Sequence, residues 1–194
     1  MEHRKYPAKL NNRGLTLIEL IAVIAIIGVF GVVIASFITS TANFYRHASD
    51  TANVQRNMQN TMESIENLVL DTNQSISYQA DDRAVENDID QNEAVEKLLV
   101  MKSVTEDDKG NKVETVDVLR WRPDEQKLYY IRNPQNYGAI YGDVLAENVS
   151  GFNVDISKAK TEGVVRFQLS MTKRGEKITQ TYTVALRNQL GTES

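Results

Sequence analysis

The sequence lacks the residues from which many catalytic and metal-binding sites are built. Its 194 residues include no cysteine and only two histidines, His3 and His47. The absence of cysteine excludes disulfide frameworks, thiol nucleophiles and thiolate metal sites. Two histidines are too few for most histidine-based metal sites and leave little choice for a Ser/His/Asp triad. The sequence also shows no Gly-rich phosphate loop. We therefore expect no enzymatic activity, no cofactor and no bound metal ion.

Charge is missing from one long stretch near the N terminus. The 26 residues from Leu20 to Tyr45 carry no charge, whereas residues 1–14 carry a net +3 and the remaining residues a net −7. A basic segment before an apolar run is typical of a chain whose N terminus stays in the cytoplasm. The acidic remainder has no basic patch that would bind nucleic acid. We predict a single-pass protein of the cytoplasmic membrane, with no direct contact with nucleic acid.

The apolar run from Leu15 to Ile38 admits two ordinary interpretations. As a helix it would span about 36 Å, which is enough to cross a bilayer. It can anchor an extracytoplasmic binding protein, or it can be a signal peptide that is cut after Ala35 and releases such a protein. Glu19 argues against both, because a carboxylate costs about 3 kcal/mol at the bilayer centre, although at the cytoplasmic rim of a plain anchor the side chain could reach the interface and the cost would fall. Both alternatives stay open on this evidence.

A specific motif surrounds Glu19. Residues 13–19 read RGLTLIE, follow a short basic leader and precede the apolar run. This order resembles the processing signature of the type IV pilin and pseudopilin superfamily, although that family more often has Phe or Met where Leu15 stands. The resemblance implies that residues 1–14 are a leader peptide. It also implies that prepilin peptidase cuts between Gly14 and Leu15, and that Leu15 is then N-methylated.

The resemblance also implies partners and a location. In the family, a prepilin peptidase with methyltransferase activity processes the precursor. An assembly ATPase with its membrane platform then adds the subunit to other pilins or pseudopilins. The apolar helices pack in the centre of a filament that extends from the membrane to the cell surface. This chain would be a substrate of the peptidase and a building block of the filament.

Cleavage after Gly14 would give Glu19 a physical role in assembly. The new α-amine of Leu15 would be a cation in an apolar environment. The Glu19 carboxylate of one subunit can neutralise the amine of its neighbour, and a buried ion pair of this kind can specify the register of subunits. The predicted assembly segment comprises Thr16, Leu17, Ile18 and Glu19.

One face of the apolar helix is predicted to pack closely against other helices. At 100° per residue, small side chains fall on one side and bulky ones such as Phe30 and Phe37 on the other. Small residues let helix backbones approach each other, although Gly and Ala are also simply common in membrane helices. The predicted packing face comprises Ala25, Gly28, Gly31 and Ala35.

The helical pattern continues beyond the membrane segment. Apolar side chains recur at spacings of three and four residues from Val54 to Ile76, with polar residues between them. No proline interrupts residues 8–122. We therefore predict one helix from Leu15 to about Ser77, apolar all round in its first half and amphipathic in its second.

The last hundred residues alternate between apolar and polar side chains, as strands do. The clearest run is Val165–Met171, and Ile178–Leu186 follows it after a turn. Strict alternation with short turns predicts an antiparallel sheet with one buried face, and the amphipathic half of the helix is its predicted cover. The other candidate strands are Lys97–Thr105, Val113–Arg122, Lys127–Arg132 and Phe152–Ile156.

The predicted fold class is therefore α+β, with a long N-terminal helix packed on a C-terminal antiparallel β-sheet. An acidic segment separates the two, and because its Asp and Asn spacing fails to match a calcium-binding loop, we interpret it as a solvated loop. The predicted segments are a leader over 1–14, a membrane and filament-core helix over 15–38, its amphipathic continuation over 39–77, an acidic loop over 78–94 and a β domain over 95–194.

The C-terminal part of the sequence refines the predicted function. Leu145–Phe152 and the alternating strands that follow it, as far as Asn188, resemble the C-terminal part of minor pilins and J-type pseudopilins. We therefore predict a structural subunit, minor rather than major, of a type IV pilus-like, secretion or DNA-uptake filament. The alternative is an anchored or secreted extracytoplasmic binding protein that does not assemble into a filament.

Overall fold

The computed structural model describes residues 16–91, 93–134 and 142–191. The chain divides into two compact units, Met1–Ala48 and Ser49–Ser194. One helix, α1, runs from Leu17 to Leu70, and nine strands follow it in the described part of the chain. The predicted α+β fold, with a long N-terminal helix followed by antiparallel strands, is confirmed.

The helix ends earlier than predicted. Leu70 is its last residue, and the chain turns there instead of continuing to Ser77. The Asn73 side chain fixes the turn, since it donates to the Val104 carbonyl and accepts from the Val104 N–H, both at 2.8 Å. Ile76 fits the helical spacing, but it lies on the buried side of a strand, where its side chain is shielded from water equally well.

A six-stranded antiparallel sheet follows the helix. Its strands are β1 (Ser75–Ala80), β2 (Arg83–Ala84), β3 (Lys97–Glu106), β4 (Lys112–Arg122), β5 (Lys127–Arg132) and β6 (Asp143–Glu147). They lie in the order β2-β1-β3-β4-β5-β6. The alternation of side chains predicted β3, β4 and β5 to within one residue at each end, whereas it did not predict β1, β2 or β6.

The remaining strands form a second antiparallel sheet. They are β7 (Val149–Asp155), β8 (Val164–Lys173) and β9 (Glu176–Ala185), in the order β7-β8-β9. The chain passes from one sheet to the other at Asn148, which has a φ of 61°. Asparagine tolerates this left-handed conformation better than most residues. The β domain therefore contains two sheets where the sequence pattern predicted one.

The second half of α1 and both sheets share one hydrophobic core. The buried residues of α1 include Val54, Met58, Met62, Ile65 and Val69, as the helical spacing predicted. The alternate apolar residues of β8 belong to the same cluster, and so do residues of β1, β3, β4 and β7. The β8 members are Val165, Phe167, Leu169 and Met171. The predicted burial of this helix face against the strands is confirmed.

The acidic segment is exposed over most of its length, as a solvated loop would be, but not throughout. β1 extends into it as far as Ala80, and Asp81 and Asp82 form the two-residue turn to β2, with φ values of 51° and 58°. Further along, Asp88 is only 3% exposed. Charge counting could not reveal this burial, because Asp88 is neutralised by Lys97 of β3, which is equally buried.

Strand β7 is buried on both faces, which the alternation of its side chains did not predict. Asp155 is 4% exposed. It accepts from the N–H and hydroxyl of Ser157 at 3.0 and 2.5 Å, and from Nη2 of Arg166 at 2.5 Å. Burial acts to raise the pKa of Asp155, but the hydrogen bonds from Ser157 and Arg166 outweigh it, so the pKa is lowered.

Asp155 should make the stability of the chain sensitive to acid. Because its folded pKa is lowered, its contribution is fully present above the unfolded pKa of about 3.9 and is lost as the pH falls through the folded pKa. Asp155→Asn should therefore reduce the free energy of unfolding at neutral pH and flatten its decline below about pH 4. Urea unfolding of the full chain in detergent, followed by fluorescence of the single tryptophan, Trp121, measures both quantities.

Asp108→Asn is the matched control for this experiment, because Asp108 is exposed. It should leave the acid dependence of unfolding unchanged. Wild-type acid dependence in the Asp155→Asn chain would contradict the role given to Asp155.

Candidate processing and assembly segment

The predicted processing site lies at the edge of the described structure. Gly14 and Leu15 fall outside the described residues, so cleavage and methylation there stay predictions. Thr16 is the first described residue, and α1 begins directly after it at Leu17. The predicted assembly segment therefore forms the N-terminal cap and first turn of the helix.

Thr16 and Glu19 cap the start of α1 reciprocally. The Thr16 backbone N–H and hydroxyl both donate to Oε2 of Glu19, each at 2.8 Å. In return, the Glu19 N–H donates to Oγ1 of Thr16 at 3.4 Å. The Thr16 carbonyl accepts the first helical hydrogen bond, from the N–H of Leu20. This arrangement is a capping box, which satisfies donors that every helix leaves unpaired at its N terminus.

Sequence reasoning missed the capping box although its signature was present. A Ser or Thr followed three residues later by Glu, ahead of an apolar run, is the pattern of such a cap, and Thr16 and Glu19 fit it. Unpaired backbone N–H groups are most costly where water is absent. The cap therefore stabilises this helix start most in an apolar surrounding, where lipid or other helices would enclose it.

The cap leaves part of the Glu19 carboxylate available. Oε2 accepts both bonds from Thr16, whereas Oε1 accepts none from the described residues. An ionised carboxylate offers about four acceptor positions over its two oxygens. One carboxylate can therefore cap its own helix and also accept the α-amine of a neighbouring subunit. The two roles need not compete for the same oxygen.

The surface of α1 is apolar and uncovered over its first half. Large apolar side chains are exposed from Leu17 to Tyr45, and Leu17 and Ile18 of the assembly segment are each 76% exposed. Among the described residues, α1 is the helix long and apolar enough to cross a membrane. Directly after the apolar run, the Thr39 hydroxyl donates to the Ala35 carbonyl at 2.9 Å, so this polar group is paired within its own helix. The helix is thus consistent with membrane anchoring.

The small residues of the apolar helix have open space around them. Ala25 and Ala35 are exposed, and a methyl group added at Gly28 or Gly31 would meet no atom within 4 Å. None of the described residues therefore fills this face, as a surface for another helix requires. Packing of the face against other subunits stays a prediction.

Comparison with known proteins identifies the N-terminal motif. A family model described as the prokaryotic N-terminal methylation motif matches residues 9–35. The matched segment includes the Gly14–Leu15 bond, the capping box and the four small residues. No curated protein and no solved structure matches the chain.

The motif and the helix together fit one family of proteins. A methylation motif at the start of a long apolar helix supports a type IV pilin-like precursor that is processed by prepilin peptidase. The chain fits the type IV pilin and pseudopilin family. Because the matched residues stop at 35, this identification depends on the N-terminal segment.

Removal of the Thr16 hydroxyl should loosen the first turn of α1. Thr16→Val keeps the shape of the side chain but removes Oγ1, and the loss of an N-cap costs about 1 kcal/mol. Hydrogen exchange of the Glu19 amide in the detergent-solubilised chain should therefore accelerate by about fivefold. Thr16→Ser keeps the hydroxyl and is the control. Wild-type exchange in the Thr16→Val chain would show that the cap does not hold this turn.

Proposed function

We propose that this chain is a minor structural subunit of a type IV pilus-like, secretion or DNA-uptake filament, and not an enzyme. The observation that supports this best is the methylation motif over residues 9–35, on a helix whose apolar surface the chain leaves uncovered. In this proposal prepilin peptidase cuts between Gly14 and Leu15, and the new amine of Leu15 is methylated. The mature subunit then leaves the membrane for a filament.

The uncovered apolar surface explains why the subunit needs more than hydrophobicity to assemble. Lipid tails cover such a surface as well as other helices do, so burial alone gives no reason to leave the bilayer. Association must instead come from close packing and polar contacts between helices. The face with Gly28 and Gly31 supplies open space for close packing. Glu19 supplies a polar contact.

Charge pairing supplies the register of the subunits. A mature chain that begins at Leu15 carries a cation there and an anion at Glu19, and the next charge is at Arg46. Thr16 engages only Oε2 of Glu19, so Oε1 is available for the amine of a neighbour. Both buried charges are neutralised only when the two helices lie at the correct relative height, and breaking such a pair costs about 3–5 kcal/mol.

The proposed partners and location follow from the same motif. The basic residues 1–14 would hold the N terminus on the cytoplasmic side of the inner membrane. The partners would be the peptidase/methyltransferase, the assembly ATPase with its membrane platform, and other pilins or pseudopilins. Identical helices that contact one another head to tail without closing form an open filament.

The C-terminal strands support a minor role. Leu145–Phe152 contributes the end of β6 and the start of β7, and β8 and β9 complete the three-stranded sheet. This part of the sequence carries the resemblance to minor pilins and J-type pseudopilins. A subunit of that kind initiates the filament or lies near its tip.

Processing is tested at Gly14. Gly14→Leu places a bulky side chain at the predicted cut and should block cleavage, so the chain should accumulate with its leader attached. Intact mass of the protein from membranes detects the leader directly. Arg13→Lys preserves the charge of the leader and should be cleaved normally. Maturation of the Gly14→Leu chain at the same bond would show that the peptidase assignment is wrong.

Assembly is tested with a substitution at Glu19 that removes the charge of the side chain but keeps its role in the helix cap. Glu19→Gln removes the charge but keeps an oxygen that can accept from Thr16, since Gln also completes a capping box. It should be processed normally, but its amount in sheared filaments relative to membranes should fall at least about tenfold, because the neighbouring amine loses its counterion. Glu66→Gln, at an exposed position of α1, is the control. Wild-type incorporation of the Glu19→Gln chain would contradict the pairing.

A further inference from the structure

Three reactive side chains meet in the interior of the β domain. Lys97 begins β3 in the six-stranded sheet, Asn153 lies in β7 of the three-stranded sheet, and Asp88 belongs to the segment between β2 and β3. They are 1%, 6% and 3% exposed, respectively. The site therefore combines an amine, an amide carbonyl and a carboxylate that are all shielded from water.

The lysine is held against both of the other groups. Lys97 Nζ donates to Oδ2 of Asp88 at 2.5 Å and also to Oδ1 of Asn153. The amide of Asn153 is fixed, because Nδ2 donates to the Gln91 carbonyl at 3.0 Å and to Oε1 of Gln168 at 2.9 Å. The carbonyl carbon of Asn153 is therefore one bond away from the atom that Nζ contacts.

The aspartate is also fixed in place. Oδ2 of Asp88 accepts from the Tyr78 hydroxyl at 2.7 Å, and Oδ1 accepts from the Val154 N–H at 2.8 Å. Burial, and then the charge of Asp88, raise the pKa of Tyr78, so Tyr78 keeps its proton and stays a donor. The carboxylate thus keeps one oxygen in contact with Nζ and cannot rotate away without breaking these bonds.

One aromatic ring lies beside the ion pair. The ring centroid of Trp121 is 5.6 Å from Nζ, and Trp121 is buried. Burying two full charges is costly in such a surrounding, even when they pair with each other. A deprotonated Nζ would be a nucleophile beside an amide, and such an orientation replaces a bimolecular encounter by an intramolecular step.

We propose that Lys97 and Asn153 form an intramolecular isopeptide bond, with Asp88 as the proton carrier. The lone pair of Nζ attacks Cγ of Asn153, and the Nζ–Cγ bond forms. Nζ loses two protons in the reaction, the first of them to Oδ2 of Asp88, and Nδ2 gains two protons and leaves as an ammonium ion when the Cγ–Nδ2 bond breaks. A lysine ammonium and an asparagine amide thus become a secondary amide and an ammonium ion, without any oxidant, reductant or co-reactant.

A small cavity borders the reacting amide. Its volume is about 160 Å³, and Asn153, Trp121 and Gln91 are among the residues that line it. This space provides a route for the departing ammonium. The crosslink would join the two sheets and connect residues 56 positions apart, so it would restrict the unfolded chain strongly. The inference does not depend on the proposed filament function.

Intact mass of the full chain, purified from membranes in detergent and then denatured, tests the proposal. With the N terminus determined separately, the mass should be about 17 Da below the value for the sequence, because one ammonia is lost. Trypsin should fail to cut after Lys97, and fragmentation should show the peptide with Lys97 joined to the peptide with Asn153.

Two variants and a control make the assignment specific. Lys97→Arg keeps the charge but offers a guanidinium that does not lose its proton, and Asp88→Asn removes the proton carrier; both should have the full mass. Lys177→Arg changes another lysine at the same cavity and should keep the loss. A wild-type chain of full mass that trypsin cuts after Lys97 would overturn the proposal. So would a loss of about 18 Da with Lys97 joined to Asp88, or a loss of about 17 Da that leaves Lys97 free, as an imide at Asn153 gives.

Discussion

The described residues leave the apolar side chains of α1 between Leu17 and Tyr45 exposed, so these side chains need an apolar environment from other molecules. Further along the same helix, residues such as Ile65 are buried in the core that α1 shares with both sheets. One helix therefore combines an exposed apolar half with a half that packs in the core of the β domain. A bilayer can provide the apolar environment for the first half of the helix, and in the proposed filament a bundle of similar helices would provide it. The methylation motif lies at the start of this helix, as it does in pilin-like precursors whose apolar helices pack together in a filament.

Glu19 is the one charged residue between Leu15 and Tyr45, and in the proposed filament it would set the register of neighbouring helices. Glu19 is bonded to Thr16 of its own chain, so its position is fixed before any neighbour arrives. A fixed acceptor is a better determinant of register than a flexible one, because less side-chain entropy is lost on pairing. Glu19 would thus first cap its own helix and then, on assembly, also pair with the amine of a neighbouring subunit.

Features that depend on local spacing could be predicted from the sequence, and features that depend on distant pairing could not. The alternation around Phe167 predicted its strand and its burial. Ile76 fits both a helical and a strand spacing, so the helix end was predicted too late. The contact of Lys97 with Asn153 depends on how two sheets meet, which no local pattern encodes. The Thr16 cap is different, since it is local and its signature was present but overlooked.

The amino-terminal residue of the protein recovered from native membranes tests the central claim most directly. Intact mass and sequencing of the terminal peptide determine it in one preparation. The account predicts a chain that begins at Leu15 and is about 14 Da heavier than its sequence because of one methyl group. A chain that begins at Ser36 would be a secreted domain, and one that keeps Met1 and its leader would be an ordinary membrane anchor. Either result would contradict the filament subunit proposed here.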